Sequence, residues 1–404
     1  MAIFPLIILL AAVVYFSKPD ERKRFLKEAV NRADDTFGSA RRYWPKRLPF
    51  DDALDARTPK PVVALAIVAL NVGIFICMLV SPGSFSNQET LIGWGSSFGP
   101  KTTNGEWWRL VTAMFVHTGL LHTLANVVGF VQIGLLTERL FGRLAIGNAY
   151  IAAGLLAGVV NLLLYPVSVS AGGSASVFAV YGLFAAAFMS GVAFPSELSI
   201  PPTTLLKLAP GAVFFLLYSL ASGFAGPAEM TGLILGLVYG CVLIKDLSVQ
   251  TPPPRRVAIT SAAVVFMTVA ACIPQRGLAD VRPEIEQLAV VEQKTSTSYD
   301  EAVRHFTNGQ MTLKELVEVI DRSILPEFTA AQARIKKLQR VPYAQASLLA
   351  GANEYLTLRE ESWRARSAGL RRKSLGTMRP PDETERASLE VLDRIRPAVP
   401  VAAQ

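Results

Sequence analysis

Beyond residue 60 the apolar residues fall in long unbroken blocks, and only near the C-terminus do they give way to a one-sided helical stripe. The blocks cover approximately 61–81, 110–136, 144–165, 173–194, 204–222, 228–245 and 257–273, separated by short stretches carrying Pro, Gly, Asn or isolated charges. Each is close to the ~20 residues that a helix needs to cross a bilayer. Residues 1–17 form an eighth block, short for a span. With no basic residue ahead of it, this block reads as an anchor rather than a secretory signal. After residue 275 the pattern changes. Thr312-Leu313-Lys314-Glu315 is a capping box, and Leu313, Leu316, Val317, Ile320 and Ile324 follow on one helical face. Further helices are expected over 327–340 and 343–373. A last one, near 382–395, follows the Arg379-Pro380-Pro381 break. The predicted fold is an all-α polytopic membrane protein: a six-helix transmembrane core, a seventh span and a helical extramembrane C-terminal domain.

Charge divides the chain in the same places. Residues 61–244 hold ten charged side chains, whereas 275–404 hold twenty basic and eighteen acidic ones. The divisions read as an anchor (1–17), a basic cytoplasmic linker (18–60), a transmembrane core (61–246), a linker with an additional span (247–274) and an extracytoplasmic helical domain (275–404). Twelve of the forty basic residues lie in 18–60, and with that segment in the cytoplasm the Arg139/Arg143 turn and the Lys245, Arg255, Arg256 connection also fall inside. The seventh span then exports the tail. This topology suits the inner membrane of a bacterium, with lipid as the surroundings and the C-terminal domain free to meet a protein partner. The net charge of +8 is explained by this bias, so nucleic-acid binding is excluded. Cys77, Cys241 and Cys272 lie inside apolar runs and are expected to be buried thiols, not disulfides. No metal-ligand pattern appears, and no cofactor is expected.

Polar side chains inside spans are costly and therefore candidates for function. His122 and Asn126, four residues apart, present an imidazole and a carboxamide on one helical face. Both can donate to an oxygen that becomes negative, as acyl transfer requires, and both can equally tie helices together. The fourth block begins Gly172-Gly173-Ser174-Ala175-Ser176. Ser174 is placed either to act as a nucleophile beside two glycines that admit a close backbone approach or simply to cap a helix. Ser176, two residues on, points elsewhere and is the weaker candidate nucleophile.

Taken together these segments resemble the rhomboid family of intramembrane serine proteases over about residues 62–246. The matching pieces are Gly93-Trp94-Gly95 through Phe98-Gly99-Pro100, Gly105-Glu106-Trp107-Trp108-Arg109, the His117, His122, Asn126 spacing, and Gly172-Gly173-Ser174-Ala175 with Phe178 and Gly182 beyond. The resemblance implies that Ser174 holds the nucleophile position, that His122 and Asn126 help form an oxyanion pocket, and that His117, Trp108, Arg109, Phe178 and Gly172 shape the site. It also implies a glycine-rich sixth helix, found here as Gly232, Gly236 and Gly240, opposite Gly182, Ala186 and Ser190. Small residues on both faces permit close contact.

One position departs from the family pattern. Where rhomboids carry a general-base histidine, the chain reads Ala228-Glu229-Met230-Thr231-Gly232, with Glu229 in the histidine position. A carboxylate in water is a feeble base, and an anion there repels the charge that develops on the oxyanion. Three rescues exist: Glu229 itself as base, His122 turning from donor to base, or His305 reaching in from the C-terminal domain, where it otherwise reads as a solvated residue near a helix end. Two functions follow. One is a pseudoprotease or very weak protease that binds transmembrane helices of single-span client proteins. The other is an active intramembrane serine endopeptidase, a hydrolase using Ser174 with a non-standard base. A transporter lacks the intramembrane charged pair and the inverted repeat it would need.

Overall fold

The structure, a computed structural model, describes residues 49–58, 60–81, 83–85, 87–223, 226–244, 251–372 and 379–395. The expected anchor (1–17), most of the basic linker and Lys245 lie outside them. Residues 1–53 form a unit of their own, described only from 49 onward within the helix Pro49–Arg57.

From residue 54 the described chain is helical. Its long elements are α1 (Val63–Val80), α2 (Leu120–Phe141), α3 (Arg143–Leu164), α4 (Ser174–Ala193), α5 (Pro202–Ala221), α6 (Pro227–Leu243) and α7 (Pro254–Cys272). Six apolar helices are long enough to cross a membrane: α1 to α5, and α7 with the turn that extends it to Gln275. The seventeen-residue α6 is apolar but shorter. The fold class is as the sequence predicts.

The second block, however, is not one span from 110. A four-residue helix, Arg109–Thr112, is followed by non-helical chain, and α2 starts only at Leu120. One tertiary and one local contact oppose a continuous helix: the Ala113 carbonyl accepts from Gly172 N–H (2.8 Å) and the Phe115 carbonyl from the nearby His117 Nδ1 (3.1 Å), so neither serves a helix. The expected buried thiols are also corrected, since Cys77 and Cys241 are exposed and Cys272 half-buried. In lipid an apolar side chain gains nothing by facing protein, so an apolar run does not imply an interior position.

At the end opposite Ser174, Glu138 is fully buried. Its carboxylate accepts the N–H groups of Val62 (2.8 Å), Val63 (3.0 Å) and Ala64 (2.6 Å). A helix start leaves such donors unpaired, and a carboxylate satisfies both them and the helix dipole. The neighbouring Arg139 pairs with Asp55.

The small-residue faces of α4 and α6 meet as expected. A Cβ on Gly232 would lie 2.0 Å from the Ala175 carbonyl oxygen and one on Gly236 1.8 Å from that of Ala179, while Gly182 abuts the backbone at Leu233 and Gly240 abuts Ala186. On the outside of the bundle, α7 packs against α3 and α6. Ala271 and Cys272 join the Leu110, Val159, Leu162 cluster, and the Tyr239 hydroxyl meets Ser261 Oγ at 2.8 Å.

The C-terminal helices are α8 (Arg282–Thr307), α9 (Leu313–Val319), α10 (Leu325–Lys337), α11 (Ala346–Arg371) and α12 (Arg379–Ile395). A widened turn at Ile320–Ile324 lies just before Pro326, whose ring and missing N–H disturb the preceding helix. The capping box forms, with Thr312 N–H donating to Glu315 (2.7 Å) and Thr312 Oγ1 accepting from Glu315 N–H (3.3 Å). The core contains Ile285, Leu288, Ile320, Phe328, Tyr355 and Trp363. Within it Arg359, wholly buried, binds Glu292 through two hydrogen bonds (2.6 and 2.8 Å) and pairs with Glu385 (2.9 Å).

This domain is tied to the bundle at the end where α4 begins. The Asn104 side chain accepts from Gly277 N–H (3.0 Å) and donates to the Leu278 carbonyl (2.9 Å). Arg282 donates to the Val167 carbonyl (3.3 Å) and lies over the Phe98 ring (5.3 Å).

Candidate active site

Ser174 is the first residue of α4 and Glu229 the third of α6, so the tight α4–α6 crossing brings two helix starts together. Ser174 Oγ donates to Glu229 Oε1 at 2.7 Å. Both side chains are buried, with 6% and 8% of their surface exposed. The other carboxylate oxygen, Oε2, accepts from Gly226 N–H at 3.0 Å and so caps α6. One carboxylate therefore holds the serine and secures its own helix.

His122 and Asn126 lie one turn apart in the first turns of α2, both buried. Asn126 Nδ2 donates to the His122 carbonyl (2.9 Å), which leaves a second N–H on the same nitrogen. His122 Nδ1 meets Thr118 Oγ1 at 3.0 Å. Gly172 has φ +114°, and a Cβ there would lie 2.6 Å from His122 Nε2, so only glycine fits between this imidazole and the serine loop. A Cβ on Gly173 would strike the Tyr150 hydroxyl and the Met114 carbonyl. Small residues thus bring His122 against the chain leading into Ser174. A cavity of about 280 Å³ opens at this point, lined by Ser174, Glu229, Thr118, Gly172, Met114 and Gly154 among others.

His117 is completely buried, its Nδ1 on the Phe115 carbonyl and its ring edge-on to His122 at 5.1 Å. Arg109 is buried too: Nε donates to Glu106 (2.6 Å), Nη1 to the carbonyls of Ile92 and Ser96, and its guanidinium stacks on Trp108. This pins the first loop, which is joined to the serine loop by a two-hydrogen-bond bridge between Ser97 and Ser170. Ser176 is buried against Met114 Sδ (3.3 Å) and away from Glu229. Phe178 packs on Phe215 and Tyr181. His305 does not reach the site. It is exposed at the end of α8 and bonded to Gln310 (2.7 Å).

Sequence reasoning overlooked Thr118 and the Gly226 cap. The cap was legible, because glycine three residues ahead of a glutamate at a helix start leaves an N–H for that carboxylate. Thr118 gave no periodic signal, since it stands in the non-helical approach to α2.

Residues 104–246 match the family model of the rhomboid domain. That segment, about a third of the chain, is similar to the rhomboid domain. Rhomboid protease GluP of Bacillus subtilis is 26% identical over 262 residues, covering 63% of this chain and 48% of that protein. Rhomboid-like protease 3 of Toxoplasma gondii is 28% identical over 127 residues, 31% of this chain and 48% of its own. Rhomboid-like protease 2 of the same organism is 24% identical over 213 residues, covering 52% and 73%. The chain spans about half the length of the first two relatives. The rhomboid core is thus a multi-pass membrane domain, and its relatives carry names of proteases.

Proposed function

We propose that this chain is a rhomboid-fold protein that receives transmembrane helices of client membrane proteins beside Ser174 and cleaves them very slowly or not at all. The observation that carries this reading is the 2.7 Å bond from Ser174 to a carboxylate whose second oxygen caps α6. Attack by serine needs its proton removed as the new bond forms, a contribution of roughly 10²–10⁴-fold when a well-matched base is in place. Taking that proton would neutralise the group that secures the start of α6. Holding the negative charge instead sets an anion beside the oxyanion that His122 and Asn126 would stabilise. Either course costs rate.

A working peptidase with Glu229 as base is the second reading, and one observation favours it. The Oγ–Oε1 distance is what a general base requires. Reaction of the detergent-solubilised protein with a fluorophosphonate probe, beside a Ser174→Ala control, separates the two. Faint or absent labelling of Ser174 is expected, and rapid complete labelling would establish an activated nucleophile. In this reading the membrane is a bacterial plasma membrane with residues 275–404 outside the cytoplasm, and the clients are single-span proteins.

A further inference from the structure

Where the seventh span leaves the bilayer, the C-terminal domain presents basic and aromatic side chains, and we infer that the segment Lys336–Tyr343 docks on phospholipid headgroups. The candidate span ends at Gln275. Arg340 donates to the Arg276 carbonyl, and five residues on, the Gln345 side chain accepts from Val281 N–H (2.9 Å) and donates to Asp280 (2.7 Å). Residues 340–345 therefore run alongside 276–281, the first residues beyond the hydrocarbon. A headgroup layer of roughly 5–8 Å on each side covers this stretch.

The side chains suit that layer. Tyr343 is 96% exposed, while its neighbour Pro342 is buried. Tyrosine combines an apolar ring with a polar tip, and it gathers at membrane interfaces for that reason. Lys336, Lys337 and Arg340, in the same segment, are exposed, and basic residues are drawn to an anionic membrane surface. Lys336 also donates to Gln332 at 3.2 Å. Arg340 is the one non-glycine among the described residues with a left-handed backbone (φ 55°), a conformation that β-carbons disfavour. It turns the chain so that Pro342 packs inward and Tyr343 points out. At the same end of the bundle Trp108 is half exposed, and Trp107, like Ala271 and Cys272, packs against the Leu110, Val159, Leu162 cluster. Tyr343 thus extends an aromatic rim from the core onto the appended domain. The inference rests on the seventh span alone and not on any activity of Ser174.

The test uses the full chain with Cys77, Cys241 and Cys272 replaced by serine and one cysteine at residue 343, carrying a nitrobenzoxadiazole label. A second preparation carries the label at residue 310, exposed at the far end of α8. Both are reconstituted in phosphatidylcholine vesicles with and without phosphatidylglycerol. We expect the residue-343 label to be quenched several-fold less by aqueous iodide than the residue-310 label. The difference should widen with phosphatidylglycerol and shrink in Lys336→Glu/Lys337→Glu, whose melting midpoint should match the parent. Equal quenching at both positions in both vesicles would overturn the proposal. So would protection of residue 343 that ignores both the anionic lipid and the charge reversal, because protein rather than lipid would then cover it.

Discussion

Replacing Gly236 with alanine adds a single methyl group at the crossing of α4 and α6, and the structure sets its cost. The new Cβ would lie 1.8 Å from the Ala179 carbonyl oxygen and 2.5 Å from its carbon. Real Cβ contacts essentially never fall below 3.0 Å, so the helices must part by about 1.2 Å in an interior that packs without slack. Sliding gives no escape, because a Cβ on Gly232 would lie 2.0 Å from the Ala175 carbonyl oxygen and one on Gly182 2.2 Å from that of Leu233 along the same seam. Overpacking of this kind costs about 1–3 kcal/mol, and contact with backbone rather than a movable side chain argues for the upper end. For a unit of this size that is a fall of roughly 2–4 °C in the melting midpoint. Thermal unfolding in detergent is the assay. Gly73→Ala in α1, where the Cβ meets nothing within 4 Å, is the matched control and should leave the midpoint unchanged or slightly raised. An unchanged midpoint in Gly236→Ala would refute the assigned pairing of α4 with α6.

In the C-terminal domain, burial pushes the Glu292 carboxyl up, but the hydrogen bond and charge of Arg359, with the hydroxyls of Tyr355 and Ser296, hold it below the ordinary carboxylate range. A depressed carboxyl stabilises the fold above its unfolded value near ~4.3, and this contribution is lost as pH falls through the lower folded value. The domain's unfolding midpoint should therefore drop below about pH 4, and Glu292→Gln should flatten that dependence while lowering the midpoint at neutral pH. Arg359→Met leaves Glu292 and Glu385 without their buried partner and should cost about 3–5 kcal/mol by denaturant titration. Asn104→Ala removes both side-chain bonds to residues 277–278, so hydrogen exchange at the Gly277 amide should quicken while the melting midpoint hardly moves. Ala330→Cys in intact cells should react with a membrane-impermeant maleimide, and reaction only after the cytoplasmic side is opened would reverse the topology.

The spans were legible because block length in the sequence is set by bilayer thickness, and the α4–α6 seam because four-residue glycine spacing has few other uses. What escaped was set by contacts between distant segments. The start of α2 depends in part on the Ala113 carbonyl, which Gly172 claims from 59 residues away. Glu138 counted only as a charge in an apolar region, and nothing local showed that three amides seventy-odd residues away would surround it. The cysteines were misplaced because an apolar run reads the same whether it faces lipid or protein. At the site, Gly226 three residues ahead of Glu229 made the cap on α6 legible, whereas the Ser174–Glu229 bond joins residues 55 apart and had no local signal.

In the proposed reading, Ser174, His122 and Asn126 supply a nucleophile and oxyanion donors, and only a suitable base is missing. Cleavage of a labelled single-span substrate in proteoliposomes by the native chain, Glu229→His and Glu229→His/Ser174→Ala tests it most directly. We expect little or no cleavage by the native chain, a gain of roughly 10²-fold or more in Glu229→His, and loss of that gain in the double variant. Brisk native cleavage that Glu229→Gln abolishes would contradict it and make Glu229 the working base.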